Sequence, residues 1–410
     1  MAHPRVLVIG AGMVGVHHAL AAALADHPVV LVDSHHTPRG ASYRNLGAIR
    51  ISGRHPGGPL ELAQYGNNRW AAIAARVPDV GYQRSGSVTL LHDEAELKVA
   101  EEYCEMYGDR IALDIVDDTL IHQVEPSITG TYRGALLCHD DAFIRPFEAV
   151  PALVTYLEHA EGVDIRLGTR IKSLEQTGGE LVAHCSHGPP IHADVAFVCT
   201  GDALDSLFRD HLDEAPLTKV RLHSFEVAQT GPHPSMLVTD GSAFRVYPGF
   251  TELESARTLD RLEPAGVESI QWIVASSPDG SLLVGATAEV EQGHASNMPL
   301  EGSNWLARRT IRAFGRGAGS VIRRWSATVV DIDRSAQSDP YVALEPVPNV
   351  FLITGLGLLG NTLGPAIARQ SIARISPDAR DPLDQPPPPP PPRLRRYHRS
   401  KRPSLAGWRT

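Results

Sequence analysis

The sequence has no apolar run of the roughly 18 residues a membrane-spanning helix needs, which argues against a helical membrane protein. Cysteine is scarce. Cys104, Cys138, Cys185 and Cys199 lie far apart without a CxxC pair, against a zinc ribbon or disulfide framework. They are expected to be reduced, buried small hydrophobes. The opening MAHPRVLVIG lacks a charged leader and a small-residue cleavage site, so it reads as a first strand of a cytoplasmic protein. The histidine pairs His17–His18 and His35–His36, and His139 beside Asp140 and Asp141, offer no three-ligand metal spacing, so no metal is expected.

Acid is missing from one place. Seven prolines, Pro386 to Pro392, precede a segment with Arg393, Arg395, Arg396, Arg399, Lys401, Arg402 and Arg409 and no carboxylate. Taking that +7 from the net charge of −9 leaves −16 on residues 1–385. So acidic a body is a poor partner for nucleic acid, whose binding rests on phosphate neutralisation. The tail, 386–410, reads as a disordered Pro-rich basic extension: a stiff spacer and an apolar-poor end. The full chain of 410 residues is 42 % apolar and 21 % charged, and outside the tail it reads as globular, with two or three domains.

The first firm signal is Val6–Ile9 running into Gly10-Ala11-Gly12-Met13-Val14-Gly15. Val16, Leu20, Ala23 and Leu24 then recur at helical spacing, and Val29–Val32 ends at Asp33, 18 residues after Gly15. This strand, GxGxxG, helix, strand, acid order is a dinucleotide-binding unit. Gly10 permits the turn, Gly12 a close approach of pyrophosphate, and Gly15 close packing of helix on strand. The unit alone leaves NAD and FAD open. Two more strands end in glycine, Val195–Cys199 before Thr200-Gly201 and Val350–Thr354 before the loop holding Gly355, Gly357, Gly360 and Gly364. Three such loops suit one extended cofactor.

VIGAGMVG, the Gly40–Gly47 loop GASYRNLG, SPDGSLLVGAT at Ser277–Thr287 and TGLGLLGNTLGPAIA at Thr354–Ala368 together resemble the FAD-dependent amine oxidases, which include D-amino-acid, glycine and sarcosine oxidases. The resemblance runs from about residue 4 to 376. Within it, SGSVTLLHDEAEL at Ser85–Leu97 and the TGL-x-x-x-G-x-TL segment at Thr354–Leu363 most resemble a branch of FAD oxidoreductases associated with aminoethylphosphonate metabolism. It implies an α/β fold, with a Rossmann-like FAD-binding domain from residues 1–80, 140–212 and 330–380. A second, α+β antiparallel-sheet substrate domain would come from 81–139 and 213–329. Gly10, Gly12 and Gly15 would cradle the pyrophosphate and Asp33 hold the ribose. Ser42, Arg44 and Asn45 would lie along pyrophosphate and flavin, with Gly201 at another strand end; Gly357, Gly360, Asn361 and Thr362 would approach the flavin ring.

The implied reaction is hydride transfer from the carbon next to an amine onto flavin N5, giving an imine, with oxygen or another electron acceptor. A nicotinamide-linked dehydrogenase and a non-catalytic flavin-binding partner protein are the alternatives. Leu283 stands where oxygen-reactive relatives carry lysine. After Trp325, where relatives place a carboxylate-binding arginine, come Ser326, Ala327 and Thr328, with Arg334 out of register. No cysteine falls where relatives tether flavin, so FAD is expected to be noncovalent. Arg50, and Arg245 with Tyr247 on one face of a strand Ala243–Tyr247, are the candidate anion holders.

Overall fold

The computed structural model describes residues 3–37, 39–203, 207–212, 215–260, 269–291, 300–332 and 339–384. Arg334 and the tail from residue 385 lie outside them. The strands Val6–Ile9 and Val195–Val198 are buried at every position, as continuous apolar runs in the middle of a parallel sheet must be. They sit at the centre of a six-stranded sheet ordered Val342–Val347, Val350–Thr354, Val195–Val198, Val6–Ile9, Val29–Asp33, Asp164–Leu167. All its pairs are parallel except that of the two C-terminal strands.

Helix Met13–Leu24 leaves the first strand and packs against helix Gly360–Ile375, which also receives helix Gly58–Ala74. Close approach explains two glycines here. A Cβ on Gly15 would lie 1.8 Å from the Gly10 carbonyl oxygen, and one on Gly66 would lie 2.1 Å from that of Thr362.

An eight-stranded sheet is built from residues 87–138 and 217–332. Its pairs are antiparallel with one exception: Leu237–Asp240 runs parallel to Ser87–Leu91, because it joins two separate stretches of chain. The sheet is therefore mixed rather than purely antiparallel. Helix Leu300–Phe314 covers one face through Leu306, Ala313 and Phe314, which join a core with Phe225, Trp272 and Val284.

Two local expectations are corrected. Ala243–Tyr247 is not a strand. Asp240 accepts the Ser242 N–H at 2.9 Å and starts a 3-10 turn, Gly241–Arg245, and Pro248 opens the short helix Pro248–Thr251 with Tyr247 as its N-cap. All four cysteines are free thiols, but only Cys138 and Cys199 are buried; Cys104 and Cys185 are partly exposed. Among the described residues no helix is long and apolar enough to cross a membrane.

Candidate active site

A cavity of about 360 Å³ is lined from both large sheets. Its lining includes Asp33 and the Gly10–Val14 turn. It also includes the Gly40–Leu46 loop, residues of the Gly355–Thr362 segment, and Leu222, Ser224, Tyr247 and Gln271. Of the sequence candidates, Gly10, Gly12, Asp33, Ser42, Arg44, Asn45, Arg50, Gly201, Tyr247, Gly357, Gly360, Asn361 and Thr362 line it. Gly15 and Arg245 do not.

Gly15 stands behind the turn, where it allows the helix to approach the strand. Arg245 is spent elsewhere: its Nε donates to the Asp260 carbonyl at 2.7 Å, and its Nη1 to the Gly241 carbonyl at 2.6 Å and to Glu96 at 3.3 Å. Arg245 ends the 3-10 turn that Asp240 starts, whereas Tyr247 is the N-cap of the next helix and donates to Gln271.

At the first turn of Met13–Leu24 the helix offers backbone N–H groups and the positive end of its dipole, an anion site. Ser42 Oγ accepts the Met13 N–H at 2.8 Å, which lays the Gly40–Leu46 loop across that turn. A Cβ on Gly12 would meet only Ser42 Oγ, at 3.2 Å, so this glycine leaves its near face to the cavity. Asp33 accepts the Ala11 N–H through Oδ2 and the His35 N–H through Oδ1, both at 2.8 Å. Its carboxylate is thereby fixed at the cavity edge.

Asn45 ties the loop to the C-terminal helix. Its Oδ1 accepts the Gly47 N–H at 2.5 Å and Asn361 Nδ2 at 2.7 Å, and its Nδ2 donates to the Ser42 carbonyl at 2.6 Å. Arg44 is held by the eight-stranded sheet, since Trp325 Nε1 donates to its carbonyl at 2.7 Å. The stretch after Trp325 gives the cavity Ala327, Thr328 and Val329, none of them charged.

Charge enters at Arg50, which is 2 % exposed. Burial alone would lower its pKa, but the Asp141 carboxylate, 3.4 Å from Nε, outweighs that and the pKa is raised. It is a permanent cation. Its Nη1 is buried with no hydrogen-bond partner among the described residues, and so is Nε2 of Gln271. Between them stands Tyr247, whose ring lies 5.0 Å from the Arg50 guanidinium and 4.8 Å from that of Arg54. A buried donor without a partner costs about 1–3 kcal/mol, more when charged, which marks this end as built for an acceptor.

Sequence reasoning missed Arg54, Gln271 and Thr354, whose buried Oγ1 also lacks a partner and lines the cavity. Arg54 stands four residues beyond Arg50, and Gln271 interrupts the apolar run Ile270–Ala275. A polar residue inside a buried strand was the available signal. Arg334, the arginine out of register, lies outside the described residues.

The glycine turn, the helix end, the fixed carboxylate and a second helix end at Gly360 lie along one cavity, and FAD fits this donor set. Cys199 also lines the cavity, but burial pushes its thiol far up, so it stays a neutral thiol.

Comparison with known proteins agrees. No curated protein matches the sequence. Glycine oxidase from Geobacillus kaustophilus superposes with a TM-score of 0.74 at 16 % identity, covering 92 % of this chain and 95 % of that one. L-alpha-glycerophosphate oxidase from Mycoplasma pneumoniae, with FAD bound, gives 0.70 at 18 % identity, covering 92 % and 95 %. Iminodiacetate oxidase from Chelativorans sp. BNC1 gives 0.70 at 17 % identity, covering 92 % and 96 %. At such identities the likeness shows the fold. The DAO family, described as FAD dependent oxidoreductase, matches residues 5–374. This sets aside the nicotinamide-linked and non-catalytic readings of the glycine turn: the chain belongs to the DAO family of FAD-dependent oxidoreductases.

Proposed function

We propose that the enzyme oxidises the C–N bond of a small amine, amino acid or aminophosphonate to an imine, holding the substrate's anionic end at Arg50. The observation that carries this reading is the buried Arg50 guanidinium with its partnerless Nη1 at the cavity wall. Bound FAD supplies the two-electron acceptor; the protein supplies position, charge and dryness. Residues 1–80, 140–212 and 330–380 hold the cofactor, and the second group, 81–139 and 213–329, gives the substrate wall through its latter stretch, with Leu222, Ser224, Tyr247, Gln271, Ile273 and Ala327. Arg50 belongs to the first group and faces the second.

In this reading Arg50 binds the anion, Tyr247 packs against the guanidinium, and the apolar surfaces of Leu222, Ile273 and Ala327 exclude water around the carbon that loses hydride. No side chain is assigned to proton removal from the amine. Because Ala327–Val329 bring no charge after Trp325, the α-carboxylate anchor implied by the resemblance is missing there. A phosphonate, or another anion not on the α carbon, then becomes the preferred group at Arg50. FAD is held noncovalently, and the acceptor that reoxidises it is oxygen or another carrier.

The test is the visible spectrum of purified protein during anaerobic addition of amines, amino acids and aminophosphonates, with the carbonyl product identified. Bleaching by an anionic amine supports the reading. Bleaching by none of them, or only by substrates lacking an amine, contradicts it.

A further inference from the structure

Behind the cavity wall Arg50 is not held by Asp141 alone. Its Nε and Nη2 donate to Ser52 Oγ at 3.1 and 2.6 Å. Ser52 Oγ in turn donates to Asp141 Oδ2 at 2.6 Å. A hydroxyl has one hydrogen, so the bond to Asp141 leaves Ser52 Oγ only its lone pairs, and towards Arg50 it can act only as acceptor. The direction of the chain is thereby fixed, from guanidinium to hydroxyl to carboxylate.

Asp141 is itself immobilised. Its Oδ1 accepts the Ile51 and Ser52 N–H groups at 2.6 and 2.9 Å, and its Oδ2 accepts Ser87 Oγ at 2.7 Å. Ser52 is 2 % exposed, and Asp141 and Ser87 are fully buried. Two of the three guanidinium nitrogens are therefore committed to the rear, and the third, Nη1, is the one without a partner.

We infer that Ser52, set by Asp141, is a positioning residue that holds the Arg50 guanidinium with Nη1 offered to the substrate anion. This rests on the reading of Arg50 as the anion holder and says how that residue is kept in place. Without the hydroxyl, the 3.4 Å separation of Arg50 Nε from Asp141 leaves the guanidinium free to close directly on the carboxylate. It would then turn away from the cavity. The competition lies between a fixed internal anion and a passing one, and the hydroxyl spacer prevents the internal anion from winning.

The experiment uses the FAD-loaded enzyme, with acetate and methylphosphonate as anion probes at constant ionic strength, and reads affinity from the perturbation of the flavin absorbance. Ser52→Ala should weaken both probes about tenfold or more, the scale of a hydrogen bond to a charged group. Ser52→Thr, which restores the hydroxyl, should stay within about twofold of wild type. In turnover with an anionic amine, Ser52→Ala should raise KM and leave the saturating rate of flavin reduction unchanged. Flavin content should not follow the loss; the melting temperature should fall by the cost of one buried hydroxyl, so affinity is read on the folded, flavin-loaded protein, where a purely structural serine would leave it unchanged.

Arg50→Ala separates the two levels of the argument. If Arg50→Ala loses probe binding while Ser52→Ala keeps wild-type affinity, the positioning role is overturned and the anchor stands. If Arg50→Ala binds the probes as wild type does, both fail. Should Ser52→Ala not accumulate as folded protein, Ser52→Cys, which is somewhat larger but fills the site and accepts weakly, takes its place; the same loss is expected, and wild-type affinity overturns the inference.

Discussion

Tyr247 Oη donates a 2.9 Å hydrogen bond to Gln271 Oε1, and this leaves the other end of the amide, the partnerless Nε2, to the cavity. Gln271 is then a second donor beside Arg50. Gln271→Leu, which keeps the bulk, should weaken a substrate with two acceptor groups by about two- to tenfold, the scale of a neutral hydrogen bond, and leave flavin content alone. Tyr247→Phe should produce a similar loss by releasing the amide. Steady-state KM for both variants checks this, and unchanged values would place Gln271 outside the substrate site.

Gly12→Val should yield a folded protein with little flavin. The Cβ at this position would already touch Ser42 Oγ at 3.2 Å, and the two further methyl groups of valine would enter the volume assigned to pyrophosphate. Flavin content per chain, measured beside a circular-dichroism spectrum, is the readout. Wild-type content would show that the turn is structural only.

Acid should loosen the cofactor-binding half through His18. Burial is the main reason its pKa is lowered to about 4 from the ordinary 6.5, although the Val14 carbonyl, 2.8 Å from Nδ1, opposes the shift. Between those values the unfolded chain binds a proton that the folded one does not, so stability falls as pH drops through 6.5 towards 4. The full span is on the order of 3 kcal/mol. His18→Gln should flatten the fall of melting temperature across this window, with His17 and His27 supplying the remainder. A slope identical to wild type would contradict the assignment.

Two truncations should behave differently. Arg69, 3 % exposed, lies 2.8 Å from Asp381 and 3.2 Å from Asp384, and Arg369 Nε donates to Asp384 at 3.1 Å. Ending the chain after residue 385 keeps these contacts, and flavin content and melting temperature should match the full chain. Ending it after Ser376 strips a buried arginine of both carboxylates, a loss of about 3–5 kcal/mol. Thermal melts of the two forms check this; equal stability would show that the segment bears no load.

The parallel sheet was legible because Val6–Ile9 and Val29–Val32 are unbroken apolar runs joined by a glycine turn, and nothing long-range is needed to read such a unit. The turn at Asp240 was misread because Phe244, Val246 and Tyr247 have strand-forming side chains, while the Asp240 cap and the Pro248 helix start carry the opposite instruction. Gln271 and Asp141 stayed hidden for another reason. Their roles depend on Tyr247 and Ser52, 24 and 89 residues away, and no local pattern records such pairings.

The most direct test of the anion anchor at Arg50 is stopped-flow reduction of the flavin, without oxygen, by an anionic amine in wild type and Arg50→Ala. A charge-assisted hydrogen bond of about 1.5–3 kcal/mol corresponds to roughly 10- to 100-fold in affinity. The concentration for half-maximal reduction should rise by that factor in Arg50→Ala with an aminophosphonate and change little with an uncharged amine. Equal concentrations for both enzymes, or glycine or D-alanine reducing the flavin fastest in both, would contradict the assignment.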